Sequence, residues 1–372
     1  MLYWISAWLA PHWGPFRLLA SHLLLLALGT SLAAALVLWR LPLAWETLPR
    51  DRGKTLTPDG KQSEGKPTGA GILVARWLLP AILLFAPLDR WGLGVVGCLY
   101  LSMWFGYLDD RSELPWGQLK KGLLDLLVAG ATAFLVCKGE PATLWLPFYK
   151  GVLTVPVWLY LPFATLLLFI TTNTTNCSDG IDGLAGSLSL ISLFSLALFL
   201  YVAVGHQNLA RYLLIPPVAD GARWAILLSV VGGGFAGYLW YNAFPSQVLM
   251  GDAGSRFLGL LIGVAVLVSG NPFMALVTAP VLLVNGGGGL AKLILLRLLR
   301  RLGFDVRPEG KLTAGEADRR AYVVKALHGV RWPLHDHCRK VFHWSPAQVL
   351  VRFVLIQLFL VPLLFVLLVK VR

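Results

Sequence analysis

The sequence predicts an all-α polytopic membrane protein. Of its 372 residues, 57% are hydrophobic and only 14% are charged, and the mean hydropathy is +0.69. Apolar stretches of about 20 residues, the length that crosses a hydrocarbon core of about 30 Å, recur along the chain. A soluble protein of this length could not bury so much apolar surface, so we expect one integral membrane domain, 1–372, with about ten transmembrane helices.

The elements follow in order from these stretches. The N-terminal segment, 1–14, carries Trp4, Trp8 and Trp13, and we expect it to lie at the membrane interface, where tryptophan is enriched. No strand pattern is convincing. Spanning helices are predicted at about 16–39, 71–88, 91–108, 119–137, 152–172, 184–204, 222–242, 256–270, 273–300 and 347–370.

The connecting segments predict the orientation. Those after the odd-numbered helices are rich in cations, and the basic loop 301–346 follows the ninth helix. The positive-inside bias therefore predicts that these connections lie in the cytoplasm and both termini outside. The cations of the first two such connections are Arg50, Arg52, Lys54, Lys61, Lys66, Arg111, Lys120 and Lys121. The net charge of +13 indicates anionic membrane lipid rather than nucleic acid as a partner.

The strongest polar cluster follows the fifth helix, at 173–186. It holds Asn173, Asn176, Asp179 and Asp182 among glycines, and the two acids, three positions apart, would share one helix face. An acid in a spanning helix costs about 2.5–3.5 kcal/mol on insertion scales and usually marks a functional site. A polar turn that merely joins two helices is the alternative.

Other acids fall on the same predicted membrane face. Asp109 and Asp110 end the third helix, and adjacent carboxylates at a membrane boundary need a cation or a proton to coexist. Oxygen ligands suit Mg²⁺ or Mn²⁺ rather than zinc. Asp252 precedes the eighth helix, where it could also be a helix cap. A solvated helix end is the alternative for the paired acids.

The basic loop adds His335 and His337, which lie among Arg331, Arg339 and Lys340 and predict a phosphate clamp. A His-x-His pair on a surface loop that binds nothing is the alternative. Carboxylates, amides, histidines and cations would thus converge on one membrane face. Such a site suits the joining of a soluble phosphorylated donor to a lipid phosphate around a metal ion, with catalysis by positioning and electrostatics.

Several motifs resemble a known superfamily, the polyprenyl-phosphate N-acetylhexosamine-1-phosphate transferases. Three signatures carry the resemblance: Asn173-Thr-Thr-Asn-Cys-Ser-Asp-Gly-Ile-Asp-Gly-Leu-Ala, Leu-Asp109-Asp110 and Met250-Gly-Asp-Ala-Gly-Ser. The first-loop motif Pro67-Thr-Gly-Ala-Gly-Ile is similar as well. Tyr238-Leu-Trp-Tyr-Asn-Ala and Pro-Leu-His335-Asp-His337 resemble the phospho-N-acetylmuramoyl-pentapeptide transferase branch in particular.

The resemblance implies ten transmembrane helices in the bacterial inner (plasma) membrane and a cytoplasmic active site. It implies that undecaprenyl phosphate attacks the β-phosphate of UDP-MurNAc-pentapeptide, giving lipid I and UMP for peptidoglycan synthesis. Asp252 would be the Mg²⁺ ligand, and Asp109 and Asp110 would serve the lipid phosphate and the metal, with Asp109 favoured as proton acceptor. The implied substrate-binding residues are Asn173, Asn176, Asp179, Asp182, Asn242, Lys121, His335 and His337. Membrane lipids are further partners, and a homodimer is compatible with the resemblance.

Two alternatives remain at this point. The chain departs from the branch pattern at Ser63, Phe244, Leu249 and Asp336, so UDP-GlcNAc or another UDP-N-acetylhexosamine is an alternative donor. A transporter or lipid flippase is the second alternative. Transporters usually carry internal repeats and charges near the bilayer midplane, whereas here no clear repeat is visible and the acids sit at helix ends.

Overall fold

The computed structural model describes residues 1–53, 63–114, 116–307 and 321–371. Lys54 and Lys61 of the first basic connection, and 308–320 of the basic loop, lie outside the described residues. The prediction of an all-α polytopic membrane protein is confirmed, since helices dominate and only two three-residue strands occur in the described ranges.

The helices up to the middle of the chain are α1 (Leu2–Leu9), α2 (His22–Ala44), α3 (Gly71–Phe85), α4 (Arg90–Arg111), α5 (Gln118–Cys137), α6 (Val157–Ser178) and α7 (Leu184–Leu198). They continue with α8 (Gln207–Tyr212), α9 (Gly221–Asn242), α10 (Gly251–Val268), α11 (Met274–Thr278), α12 (Pro280–Arg301), α13 (Tyr322–Gly329), α14 (Leu334–Val341) and α15 (Pro346–Lys370). Short 3-10 helices occupy Gly14–Ala20 and Trp45–Thr47, and a π-helical turn, Phe199–Ala203, extends α7.

Each of the ten predicted spanning stretches is largely helical, although 273–300 divides between two α-helices. In the described part of the chain, eight helices are both long and apolar enough to cross a membrane. Of the other two, α3 has 15 residues, and α5 carries Lys120, Lys121 and Asp125 in 20 residues. The number of ten spans therefore stays a prediction.

The structure differs from the prediction in three local features. The first spanning helix begins at His22 rather than near residue 16, because a 3-10 helix precedes it. The predicted stretch 273–300 divides into α11 and α12, and Pro280, which has no N–H to donate, starts the second helix. Strands β1 (Ala142–Leu144) and β2 (Leu153–Val155) form an antiparallel hairpin, which is too short to leave an alternating pattern in the sequence.

Helix α10 lies at the centre of the bundle and contacts α3, α4, α5, α6 and α7. Glycines in α3 and α4 let the backbones of these helices pack directly against the backbone of the first turn of α10. A Cβ atom added to Gly71 of α3 would lie 2.2 Å from the backbone nitrogen of Gly254, and one added to Gly106 of α4 would lie 2.4 Å from the carbonyl oxygen of Asp252. Small residues at helix interfaces allow such close packing in membranes. The start of α10 is therefore held between α3 and α4.

The opposite end of the bundle is joined by an ion-pair network. The Lys138 ammonium, just after α5, lies 3.2 Å from Asp89 at the start of α4 and 3.5 Å from Asp220 at the start of α9. Burial alone would raise the pKa of Asp89, but the Gly92 N–H and the Lys138 ammonium together bring that pKa below its usual value. This network and the polar residues of the predicted site lie at opposite ends of α4, α5 and α9.

Candidate active site

A cavity of about 340 Å³ opens at the end of the bundle where α4, α6 and α9 end and α3, α5, α7 and α10 begin. The structure brings eight of the predicted site residues into the wall of this one cavity. They are Asp109, Asp110, Lys121, Asn176, Asp179, Asp182, Asn242 and Asp252. Acids that are far apart in the sequence therefore share one space.

Lys121 lies between two of the acids. Its ammonium forms ion pairs with Asp109 Oδ2 and, at 3.3 Å, with Asp252 Oδ2. The second carboxylate oxygen of Asp109 accepts a hydrogen bond of 2.9 Å from the Trp116 N–H. The lysine side chain is 21% exposed, whereas that of Asp109 is 5% exposed. Lys121 thus compensates the negative charge that α4 and α10 bring together.

Asp110 has a different task from its neighbour Asp109. Its two carboxylate oxygens accept hydrogen bonds from the N–H groups of Asp252, at 3.1 Å, and Ala253, at 3.2 Å. These are first-turn donors of α10, which have no partner within their own helix. Gly251 has a φ of +71°, and a Cβ there would lie 2.3 Å from Asp110 Oδ2. Asp110 therefore caps α10 from a neighbouring helix and holds Asp252 in position.

We expect Asp110→Asn to destabilise the protein by about 1–3 kcal/mol as well as to reduce its activity, because the amide can offer only one acceptor to two buried N–H groups. Thermal unfolding in detergent measures the effect. Asp51→Asn is the control, since Asp51 lines the same cavity but pairs with Gly65 and Lys66 through its backbone. Equal unfolding temperatures for the two variants would show that the cap is unimportant.

Asp182 joins the turn after α6 to the loop after α9. Its Oδ2 accepts a hydrogen bond of 2.9 Å from the Ser246 N–H. The Lys66 ammonium lies 3.6 Å from the same oxygen and 3.0 Å from Ser246 Oγ. Lys66, the residue directly before the first-loop motif, therefore contributes a cation to the same wall of the cavity.

Asn242, at the end of α9, connects the same two segments by its side-chain amide. Its oxygen accepts a hydrogen bond of 2.9 Å from the Gly183 N–H, and its nitrogen donates one of 2.8 Å to the Val248 carbonyl. Gly183 needs its left-handed φ of +77° to present that N–H. Although Asn242 borders the cavity, its side chain makes these contacts with the protein itself.

The two histidines do not line the cavity. His335 is 2% exposed; its backbone N–H donates to Asn285 Oδ1 at 2.9 Å, and its Nδ1 lies 3.1 Å from the same oxygen. Its Nε2 lies so close to Gly180 that a Cβ there would come within 2.3 Å. Since Gly180 is in the cavity wall, His335 packs behind that wall. His337 accepts a hydrogen bond of 3.3 Å from the Arg331 N–H.

The glycine run at 286–289 explains how the basic loop reaches this position. A Cβ at Gly288 would lie 2.0 Å from the ring of Trp332, and one at Gly286 would lie 2.0 Å from the Thr174 carbonyl oxygen. The run thus allows Trp332 to pack on one side of α12 and α6 to pack on another. Trp332 precedes α14, the helix that carries His335.

Asn173 is also outside the cavity wall. Its side-chain nitrogen donates to the Phe169 carbonyl at 2.9 Å, one turn earlier in α6, and its side chain lies next to Asp125. Asn173 therefore lies behind the cavity wall, and its contact with substrate stays a prediction.

Three cations that the sequence indicates only as markers of the orientation also line the cavity. Arg50 and Arg52 follow α2, and Lys66 precedes α3. Arginine and lysine are the usual partners of phosphate groups. Their position beside the first-loop motif is the signal that could have identified them.

Among the described residues, no three side chains of the Asp, Glu, His or Cys type are grouped so that they could hold a metal ion by themselves. The carboxyl groups of Asp109 and Asp252 nevertheless lie next to each other around the Lys121 ammonium. Mg²⁺ is usually held by one or two carboxylates together with substrate phosphates and water. This pair of oxygen donors therefore fits a Mg²⁺ site that the substrate completes.

Comparison with known proteins gives two findings. Residues 92–270 match the model of glycosyl transferase family 4. Relatives described as phospho-N-acetylmuramoyl-pentapeptide-transferase match over most of their length. The protein of Treponema pallidum (strain Nichols) is 40% identical over 95% of this chain and 92% of its own, and that of Desulfotalea psychrophila is 31% identical over 91% of each.

Proposed function

The chain belongs to the phospho-N-acetylmuramoyl-pentapeptide-transferase family, and from this premise we propose that it transfers phospho-MurNAc-pentapeptide from UDP-MurNAc-pentapeptide to undecaprenyl phosphate. The products are lipid I and UMP. The observation that carries the proposal is the identity of 40% over 95% of the chain to a transferase of that description. The cavity lined by Asp109, Lys121 and Asp252 supplies a site of suitable chemistry. Both relatives named above are described as transferases and not as transporters.

In the proposed reaction, a phosphate oxygen of the lipid forms a bond to the β-phosphorus of the donor, and the bond from that phosphorus to the bridging oxygen breaks. UMP leaves with the electron pair of that bond. A phosphate monoester has a second pKa of about 6 and is largely ionised at neutral pH, so the lipid phosphate needs little help from a base. Asp109 is the residue we propose to accept the remaining proton.

The cations of the cavity wall would bind the phosphates. Arg50, Arg52 and Lys121 can hold the donor pyrophosphate and the departing UMP, because they carry positive charge into a partly enclosed space. Asp252 and Asp109 would hold Mg²⁺. When bound, that ion neutralises phosphate charge and orients the pyrophosphate.

We also propose that the cavity faces the cytoplasm from a bacterial inner membrane. Arg50, Arg52, Lys66 and Lys121 all line it, so the cation-rich end of the bundle and the cavity are the same end. The positive-inside bias assigns that end to the cytoplasm.

The donor is tested directly with purified protein, undecaprenyl phosphate, Mg²⁺ and one UDP-sugar at a time. We expect UMP and lipid I from UDP-MurNAc-pentapeptide, identified by mass spectrometry of the lipid product. Ser63, Phe244 and Leu249, where the chain departs from the branch pattern, line the cavity. A lipid product only from UDP-GlcNAc or another UDP-N-acetylhexosamine would transfer the assignment to that donor.

Metal removal is expected to stop the reaction. With EDTA in excess, UMP release should fall to background, and Mg²⁺ or Mn²⁺ should restore it whereas Zn²⁺ should not, because the donors are carboxylate and phosphate oxygens. Release of UMP is followed by chromatography. Undiminished release in EDTA would remove the metal from the mechanism.

A further inference from the structure

Arg256 is a buried cation directly behind the cavity. It lies in α10, one turn after Asp252, and its side chain is 3% exposed. One terminal nitrogen of its guanidinium lies 2.6 Å from Asp125 Oδ1, and the other lies 3.2 Å from Asp252 Oδ2. The arginine thus joins a buried acid of α5 to the carboxylate that the proposed function assigns to the metal.

Burial of the Arg256 guanidinium in a membrane-spanning helix costs free energy. Charged side chains within membrane-spanning segments are rare and usually functional, and a guanidinium cannot lose its proton to avoid the cost. Asp125, whose side chain is 4% exposed, compensates the charge. A buried ion pair often contributes no more stability than apolar residues of the same size, so stability alone is a weak reason for its presence.

The geometry of its contacts favours a role for Arg256 in the active site. Lys121 reaches Asp252 Oδ2 from the cavity side and is 21% exposed, whereas Arg256 reaches the same oxygen from the buried side. A lysine at the cavity surface can turn towards a phosphate. The arginine cannot follow, because Asp125 holds its second nitrogen and Asn173 of α6 lies next to Asp125.

We propose that Arg256, held by Asp125, is a positioning residue that keeps the Asp252 carboxylate oriented towards the cavity. The network runs from Asn173 of α6 through Asp125 of α5 to Arg256 and Asp252 of α10. In this network Asn173 is a supporting residue, which acts on the site through Asp125. The inference rests on the proposed function of Asp252 as a metal ligand.

The decisive variant is the double replacement Arg256→Met with Asp125→Leu. It removes one positive and one negative charge, so the net charge around Asp252 is unchanged and only the support of its carboxylate is lost. Apolar replacement of both partners of a buried ion pair is often neutral for stability. The matched control is Lys138→Met with Asp220→Leu, which removes an ion pair at the other end of the bundle.

Two quantities are measured: kcat for UMP release, and the dissociation constant for Mn²⁺ alone, from electron paramagnetic resonance without substrates. Loss of residues that orient metal ligands typically costs about 10- to 100-fold in affinity or activity. We expect such a loss in both quantities for the double variant, with an unchanged unfolding temperature, and none for the control. A purely structural role would reduce the folded fraction without changing the Mn²⁺ dissociation constant.

Changes of less than about fivefold in both quantities would overturn the proposal. If the double variant does not fold, Arg256→Lys decides by the same threshold, because lysine keeps the charge but cannot bridge Asp125 and Asp252. If the unaltered protein releases no UMP from any UDP-sugar, the proposed function fails instead, and Mn²⁺ binding still tests the positioning role.

Discussion

Asp252→Asn is expected to lower the rate of UMP release by about 10³-fold, the loss that removal of one well-placed electrostatic group causes in an enclosed site. The asparagine is neutral and cannot provide the charged oxygen that Mg²⁺ prefers. Lys121 and Arg256 would also lose the carboxylate that they share. The two cations would then keep only Asp109 and Asp125 as counter-charges, and the repulsion between them and a metal ion would increase.

The protein should remain folded, because Asp252 is at the cavity surface and the amide oxygen can still accept hydrogen bonds from both cations. UMP release with saturating donor and Mg²⁺ measures the rate, and thermal unfolding in detergent checks the fold. Asp305→Asn is the control, since Asp305 pairs with Arg307 in the basic loop and does not line the cavity. A near-normal rate for Asp252→Asn would disprove its assignment as the metal ligand.

Gly106→Val is expected to reduce activity at least about 100-fold and to destabilise the protein by about 1–3 kcal/mol or more. A Cβ at Gly106 would lie 2.4 Å from the Asp252 carbonyl oxygen and 2.7 Å from the Ala253 nitrogen. Both atoms belong to the backbone of α10, so relief of the clash requires displacement of its first turn. That displacement would break the cap that Asp110 forms and would move the Asp252 carboxylate.

Gly97→Val is the matched control. Gly97 lies in the same helix, and nothing is within 4 Å of the position where its Cβ would be. The two variants therefore have the same intrinsic effect on helix formation and differ only in what the side chain meets. UMP release and unfolding temperature are compared. If Gly106→Val behaved like Gly97→Val, α4 and α10 would not be packed at backbone distance.

The motif alone does not distinguish the roles of the adjacent residues Asp109 and Asp110. The family resemblance implies a shared role for Asp109 and Asp110 at the metal and the lipid phosphate. In the structure Asp109 pairs with Lys121, whereas Asp110 accepts the first N–H groups of α10. Successive residues of a helix point in directions about 100° apart, so two neighbours meet different partners.

His335 is a second residue whose contacts the motif does not predict. The cluster of histidines and cations predicts phosphate contact, but His335 packs against Gly180 and Asn285 behind the cavity wall. Its contact with the donor stays a prediction. Arg256 and Asp125, in contrast, belong to none of the motifs that the sequence shows. Only the ion pair that they form between α5 and α10 indicates a role for them.

The sequence alone determines the membrane class, the approximate position of each long apolar helix and the family. Hydrophobicity over about 20 positions and a motif of a few residues are local properties, which need no knowledge of the neighbours in space. The partner of each charged side chain depends on which helix faces lie against each other and how closely glycines let them approach. Only the packed bundle therefore distinguishes the acid that caps α10 from the acid that meets Lys121, and places Arg256 behind Asp252.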